Sequence, residues 1–428
     1  MHHVIVGNSV AGIEAAITLR NRDDTARITL IADEHDHFFA RTALMYVFCG
    51  QLSVRDTEPY DHELYERMRF TRVRDRLVRV RPDEHAVDLA SGATVAYDTL
   101  LLAVGSRPRR LPWPAAYAGP GVHHFVTLRD LEGLDAAAKP GMSVAVIGGG
   151  LIGVECAEVL HLRRLKVHFL IREPWYFPVA LDENEAQVVA AHMRQHGVDT
   201  RLNTPVDALE RREGKLVLKL PNEELAVDLV VGAIGVVPNT DFLRDSTLTL
   251  APDGAIETTD ALRSTTAPDV WAAGDCANVT WIDGSRRPEQ LWYTARDQGR
   301  AAARSMLGDP VVYRRSTWYN SAKFFDIEYT TAGFVPPDPK GFDTWYQHVP
   351  APSVTQTSAT QRIVCKGGRI VGFNALGSRW NHEVFLRWIH ERRSLVWVLE
   401  HMNDARFDEE FTAPFRVLPT ATLTPAGA

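Results

Sequence analysis

One pattern occurs twice in this chain and leaves few folds open to it. A short apolar strand runs into a glycine turn and a helix, then comes a small β insert, then a second apolar strand ending in glycine and proline. The first copy opens with VIVGNSVAGIEAA, residues 4–16. Val4, Ile5 and Val6 read as a buried parallel strand; Gly7 permits a tight turn; Gly12 lets the following helix pack close, with Ile13, Ala16 and Ile17 at helical spacing. A strand turning straight into a helix aims unpaired backbone N–H groups and the positive end of the helix dipole at one point, which is a diphosphate site. Ser9 stands where G-x-G-x-x-G has its middle glycine. Residues 27–31 form the next strand, and Asp33 and Glu34 follow it about 20 residues beyond the glycines, where an acid binds a ribose 2′-hydroxyl.

The second copy carries an unbroken fingerprint: a strand at residues 144–147, then Gly148, Gly150 and Gly153, then a helix at 151–160. A further helix spans 182–196, capped by Gly197. Each copy has three short strands inserted (77–81, 86–89 and 94–97; 206–211, 216–220 and 225–227), followed by TLLLAVGSRP with Gly105 or DLVVGAIGVVPN with Gly235. Such a duplicated order arises by chance far less readily than a single fingerprint. Beyond it, APDVWAAGDCANV places Gly274 and Asp275 at the end of an apolar strand before a helix at 291–307, the ligand edge of a parallel sheet. From Tyr313 the chain turns aromatic and strand-rich, closes with helices at 381–391 and 394–401, and is expected to end in a loose tail after Pro414.

Composition narrows the function. A net charge of −7 argues against nucleic acid as a main partner and does not favour an anionic membrane. No apolar run approaches the ~18 residues of a membrane span, and no signal peptide opens the chain. Cys49, Cys156, Cys276 and Cys365 form neither C-x-x-C nor C-x-x-x-x-C, which excludes a zinc ribbon and a local redox disulfide and suits a reducing cytoplasm. His35 and His37 make an H-x-H, but no third ligand is evident nearby, so no metal is expected. Arg107, Arg109, Arg110, Arg314 and Arg315 suggest a positive stripe for an acidic carrier, although such runs are more often solvated surface.

GNSVAG, LLAVGSRP, GGGLIGVE and VWAAGDCA stand in an order that resembles the flavoproteins with two dinucleotide-binding domains, the FAD-dependent pyridine nucleotide-disulfide oxidoreductase class, over about residues 1–312. The resemblance implies an α/β fold: two Rossmann-like, three-layer domains, binding FAD (1–113 and 246–312) and NAD(P)H (114–245), plus a C-terminal α+β interface domain at 313–428. It implies that Gly7, Ser9, Val10, Ala11 and Gly12 meet the FAD diphosphate, that Asp33 with Glu34 meets the AMP ribose, and that Asp275 beside Gly274 meets the ribityl chain or diphosphate. Ala103, Gly105 and Gly235 belong to the strand–glycine motifs at the same edges. Gly148, Gly150, Leu151, Ile152 and Gly153 would hold NADH or NADPH, with Glu155 near the nicotinamide. Trp292 stands where electron-transfer members carry an aromatic close to the flavin.

Absences select the branch. Glutathione reductase-type enzymes carry C-x-x-x-x-C after the first motif; coenzyme A disulfide reductases carry one cysteine where Thr42 stands here. Opening a disulfide or reducing a peroxide there needs a thiolate, which threonine cannot supply. Cys49 reads as a core cysteine. Arg41 is similar to the arginine of the ferredoxin, rubredoxin and nitrite reductase-linked and apoptosis-inducing-factor-like branch, but Met45 and Tyr46 replace the Ser-Lys many of them carry, so Glu155 would lack that lysine. Tyr46 resembles the coenzyme A branch. After residues 167–171, Ile171 stands where NADH enzymes usually place an acid; Arg172 could meet a 2′-phosphate and Glu173 a 2′-hydroxyl, which leaves NADH or NADPH open with a lean to NADPH or dual use. In the C-terminal third, which resembles a domain joining two subunits in many members and leaves a homodimer open, His382, Phe385 and Leu386 share a helix face that reads as core; His382 and Lys323 are weak proton-donor candidates. The leading expectation is an FAD enzyme that takes hydride from NAD(P)H and passes electrons to a ferredoxin- or rubredoxin-like carrier or a small oxidant. The alternatives are an NAD(P)H oxidase or quinone reductase, a redox-sensing flavoprotein and, least favoured, a coenzyme A-disulfide or persulfide reductase, which would require Cys49 at the flavin.

Overall fold

A computed structural model describes the chain except residues 283, 339, 352–357, 411–412 and 427–428. It divides into two compact units. The first comprises Met1–Arg110, His124–Ala136 and Gly235–Ser316, and the second Leu111–His123, Ala137–Ile234 and Thr317–Ala428. Among the described residues no helix is long and apolar enough to cross a membrane.

The first unit is built on a five-stranded parallel sheet in the order Val270–Ala272, Thr99–Leu102, His2–Val6, Arg27–Ala32, Phe70–Arg74. The strands other than Phe70–Arg74 carry apolar runs because helices cover the faces of such a sheet, whereas the edge strand Phe70–Arg74, FTRVR, is mostly exposed. Val4, Ile5, Ile28, Ile31 and Leu100–Leu102 are all buried. The helix Val10–Arg22 lies against the helix Trp292–Met306 so closely that a side chain at Gly299 would collide with the carbonyl of Ala11. The insert Leu77–Arg81, Ala86–Leu89, Thr94–Ala96 forms a separate antiparallel sheet.

The second unit repeats the plan: Asp199–Arg201, Lys166–Leu170, Ser143–Ile147, Leu229–Gly232 and Val122–His123 form its parallel sheet, and Ala208–Arg212, Lys215–Lys219 and Glu224–Val227 its antiparallel insert. In both units the first strand of the copy lies between the strand that follows it and the strand that ends in glycine. The strand order therefore reverses there, and the crevice at the carboxyl ends of those strands is where such sheets bind ligands.

Residues 317–428 share the second unit. They form a six-stranded antiparallel sheet whose edge strand is Thr422–Thr424, paired with Asp343–Val349, so the tail expected to be loose is tied down by backbone hydrogen bonds. The helices His382–His390 and Leu395–His401 cover this sheet. Phe385 is buried, stacked on Phe373 at 4.1 Å, and Trp388 lies beside it, as the core reading of that face expects. Arg362 is fully buried and pairs with buried Glu185 at 2.8 Å, which fastens this sheet to the helix Glu183–Gln195. A buried pair of this kind would be costly to break by removing one partner alone.

Candidate cofactor sites

At the first turn, Gly7 has φ +112° and any side chain there would strike the carbonyl of Ala103; a side chain at Gly12 would strike the carbonyl of Gly7. Strand, turn and helix can be this close only with glycine at both positions. Ser9 is the N-cap, with extended backbone (φ −102°, ψ −171°), and its side chain makes no capping hydrogen bond. The N–H groups of the first helical turn thus take no acceptor from the N-cap side chain, the arrangement that leaves them for a diphosphate. This glycine cradle, rather than any single charged group, is what fits the chain to a dinucleotide.

Around that turn the structure gathers several of the sequence-derived residues. Asp275, half-buried just beyond the end of Val270–Ala272, accepts a 2.7 Å hydrogen bond from Ser106 Oγ. Burial pushes its carboxyl up, and the Ser106 bond and the charge of Arg41 work against that push. Gly274 N–H donates to Gln298 Oε1 at 2.8 Å, which sets the turn before Asp275. Arg41 forms a two-pronged pair with Glu34 at 3.0 and 2.6 Å and donates to the carbonyl of Val126. Burial opposes ionisation of Glu34, but the Arg41 bond and charge overcome it and hold the carboxyl below its usual range. Glu34 also accepts from Leu128 N–H at 2.7 Å, while Asp33 faces Arg129 at 3.7 Å. A cavity of about 280 Å³ opens beside Glu34, lined also by His35, Val54, Arg74, Leu128 and Arg129. Trp292 begins the helix Trp292–Met306 and packs on Phe38 at 5.3 Å. Thr42 is exposed, and Tyr46 and Cys49 are half-buried.

The second fingerprint has the same backbone. Gly148 has φ +121° and a side chain there would strike Ala233 O; one at Gly153 would strike Gly148 O; one at Gly150 would meet open space. Leu151 and Ile152 open the helix Leu151–Leu162 and Gly235 (φ +96°) ends the returning segment. Arg172 is mostly exposed and pairs with Glu173 at 2.8 Å, while Ile171 is fully buried. Glu155 lies one turn into the helix, and burial, reinforced by the negative charge of Glu158 and relieved in part by Lys323, pushes its carboxyl up to about 7. Lys323 bonds Glu158 at 2.6 Å. The reading from sequence missed this pair, and it puts Lys323 in the role of a charge partner for Glu158. Glu155 belongs to the second unit, Tyr46 and Trp292 to the first.

Two other expectations change. Arg315 is buried in an ion pair with Glu289, and Arg107 pairs with Asp241, so neither contributes free charge to a stripe; Arg109, Arg110 and Arg314 remain exposed. The H-x-H does have a third ligand-type neighbour, because the chain brings Glu58 to within 4.8 Å of His35 and His37 donors.

Comparison with known proteins agrees with this geometry. Residues 1–299 match the family described as pyridine nucleotide-disulphide oxidoreductase. Rhodocoxin reductase of Rhodococcus erythropolis is 30% identical over 394 residues, covering 89% of this chain and 88% of that protein. The ferredoxin–NAD(+) reductase component of the biphenyl dioxygenase system of Paraburkholderia xenovorans (strain LB400) is 30% identical over 72% of this chain and 75% of its own length. The fold is shared with the putidaredoxin reductase of a covalent complex with putidaredoxin (TM-score 0.77, 22% identity, 91% of this chain and 93% of that one). With two fingerprints formed and a family match over most of its length, the chain belongs to the pyridine nucleotide-disulphide oxidoreductase family.

Proposed function

We propose that this protein is an NAD(P)H-dependent FAD oxidoreductase that takes hydride from the pyridine nucleotide and passes electrons singly to a small iron–sulfur carrier of the ferredoxin type. The observation that carries this reading is Thr42. It is exposed in the first unit at the position where the disulfide- and peroxide-reducing branches need a thiolate. The names of rhodocoxin reductase and of the ferredoxin–NAD(+) reductase component point the same way.

Bound FAD would supply the conversion of a two-electron donor into one-electron steps. The chain supplies position. Gly7, Ser9 and Gly12, with the N–H groups of Val10 and Ala11, hold the diphosphate; Glu34 and Asp33 take the adenosine ribose; Asp275, oriented by Ser106, takes the ribityl chain or diphosphate. Gly148, Gly150 and Gly153 hold the pyridine nucleotide, Arg172 and Glu173 meet its ribose end, and Glu155 lies on the nicotinamide side. Trp292, and Tyr46 in the same unit, limit water around the ring system. Residues 1–113 with 246–312, 114–245 and 313–428 act as the FAD, NAD(P)H and interface domains. The cysteine spacing supports a cytoplasmic location.

The test is anaerobic stopped-flow reduction of the yellow protein by NADH and by NADPH, followed by titration with oxidised ferredoxin and rubredoxin. Fast bleaching, then rapid reoxidation by one carrier, is the expected result. Bleaching too slow for turnover with both nucleotides would overturn the reductase reading and favour a redox sensor.

A further inference from the structure

A group of metal-ligating side chains lies in the second unit, away from both fingerprints. His192 and His196 are four residues apart at the end of the helix Glu183–Gln195, with His196 as its C-cap, so their imidazoles share one face. Their ring centroids are 4.3 Å apart. Opposite them is Asp326, the second residue of the two-residue turn between Tyr319–Phe324 and Ile327–Gly333, in which Phe324 pairs with Ile327. Asp326 already contacts His192 Nε2. One donor atom from each of the three residues lies within 4.8 Å of the others.

We propose that His192, His196 and Asp326 bind a divalent cation of the zinc class. Three features of the geometry support this. His196 Nδ1 lies 3.0 Å from the carbonyl oxygen of His192, which can only accept; Nδ1 therefore carries the proton and Nε2 presents its lone pair. Fixing the tautomer through a bond from the other ring nitrogen is how proteins orient metal-bound histidine. Two imidazoles and a carboxylate suit zinc, nickel or cobalt and are a poor set for calcium or magnesium, which take oxygen ligands. Finally, the site combines a fixed wall with an open mouth: His192 is buried, whereas His196 and Asp326 are exposed, which leaves an entry path and room for water as the fourth ligand. Phe325 forms an apolar wall, its ring 5.4 Å from His196 and 6.4 Å from His192.

The other three-ligand group is less suited. His37 Nε2 lies 2.7 Å from an Arg72 guanidinium nitrogen, so a cation already stands beside it, and Glu58 is engaged by His62, a residue outside the group. At His192, His196 and Asp326 an ion would bridge the helix Glu183–Gln195 and the turn of the antiparallel sheet, and its occupancy would stabilise that junction.

The experiment uses the flavin-loaded full chain, stripped with chelator and then titrated with Co²⁺ and Zn²⁺. The proposal expects one equivalent of Co²⁺ giving the intense visible bands of a low-coordinate site, displaced by Zn²⁺. It expects an unfolding midpoint raised by about 5 °C at a 100-fold excess of Zn²⁺ over Kd. His196→Ala and Asp326→Asn should each weaken binding by about 10–100-fold while flavin content stays unchanged. His196 is exposed, so its variant decides the matter even if Asp326→Asn perturbs the turn. Equal binding by wild type and His196→Ala, loss of binding in His35→Ala instead, or no bound equivalent at 100 μM Zn²⁺ would each overturn the assignment.

Discussion

The two nucleotide-binding copies can be compared residue by residue, because their strand registers give an internal alignment. Val6 faces Ile31 and Leu102 in the first copy; Ile147 faces Leu170 and Gly232 in the second. Gly7 then corresponds to Gly148, Ser9 to Gly150, Gly12 to Gly153 and Glu14 to Glu155. Two residues beyond the facing strand residue, Asp33 corresponds to Arg172. The glycines that the two copies share stand where backbone meets backbone. Gly7 N–H donates to Ile31 O at 2.8 Å and Gly148 N–H to Leu170 O at 3.0 Å, and in both the glycine leaves room for the next strand's carbonyl. The positions that differ face open space or carry charge. Close backbone packing accounts for the shared glycines.

The largest effects should come from the shared glycines. Gly7→Ala and Gly148→Ala each force a left-handed backbone position and a collision with a carbonyl, which together should cost more than about 3 kcal/mol. Gly7→Ala should yield protein without flavin, read from the visible spectrum after gel filtration. Gly148→Ala should stay yellow and lose pyridine nucleotide binding. If Gly7→Ala kept its flavin and melting temperature, the equivalence of the two turns would fail.

Glu14 and Glu155 share a position but not an environment. Glu14 accepts from Tyr60 Oη and Arg300 Nε, both at 2.8 Å, and ties together elements of its own unit. No hydrogen bond to the Glu155 carboxylate is found among the described residues, and its carboxyl is raised to about 7 from the ordinary 4.5. Between those two values the folded state holds a proton that the unfolded state releases, so this group makes stability fall as pH rises from about 4.5 to 7. Glu155→Gln should therefore gain up to about 2–3 kcal/mol over wild type at pH 8 and nearly nothing at pH 4.5. Urea midpoints at the two pH values measure this. Equal midpoints for variant and wild type at pH 8 would mean that the carboxylate is solvated.

The contrast of Asp33 with Arg172 predicts nucleotide choice. An acid suits an unsubstituted ribose, as in FAD; a guanidinium suits a 2′-phosphate. Arg172→Ala should weaken NADPH binding by about 10–30-fold, or about 1.5–2 kcal/mol, with NADH affinity changed less than threefold, measured by calorimetry on the oxidised protein. Equal loss for both nucleotides would show that Glu173, which pairs with Arg172 at 2.8 Å, governs that end of the site.

The duplication and the turn glycines were legible because each is a local consequence of short-range sterics: a strand, a tight turn and a helix need glycine at fixed offsets. The contacts that complete the environments were not. Lys323 reaches Glu158 across 165 residues and Arg362 reaches Glu185 across 177, and no periodicity in the chain marks either pair. Glu58 likewise joins His35 only through the fold. The edge strand Thr422–Thr424 is too short to show alternation, so a tail that looked loose is held by its partner strand. Arg315 looked like part of a basic run because sequence cannot show that Glu289 is waiting for it in the interior.

The smallest predicted effect tests the comparison at the position where the first fingerprint departs from its pattern. Ser9 and Gly150 have the same φ of −102° and ψ values of −171° and −173°. That is extended backbone, open to any residue, and a side chain at Gly150 would meet nothing within 4 Å. Glycine is therefore not required by the backbone at either position; what matters is how near a ligand comes. A serine beside a diphosphate can donate its hydroxyl, so Ser9→Gly should change FAD affinity by less than about 1 kcal/mol, with the loss of one hydrogen bond offset by closer approach. Stability should fall by no more than a few tenths of a kcal/mol, as for other cap-to-glycine changes. A loss of flavin on the scale of Gly7→Ala would instead make Ser9 a principal diphosphate ligand. The copies would then differ in how they hold phosphate as well as in how they read ribose.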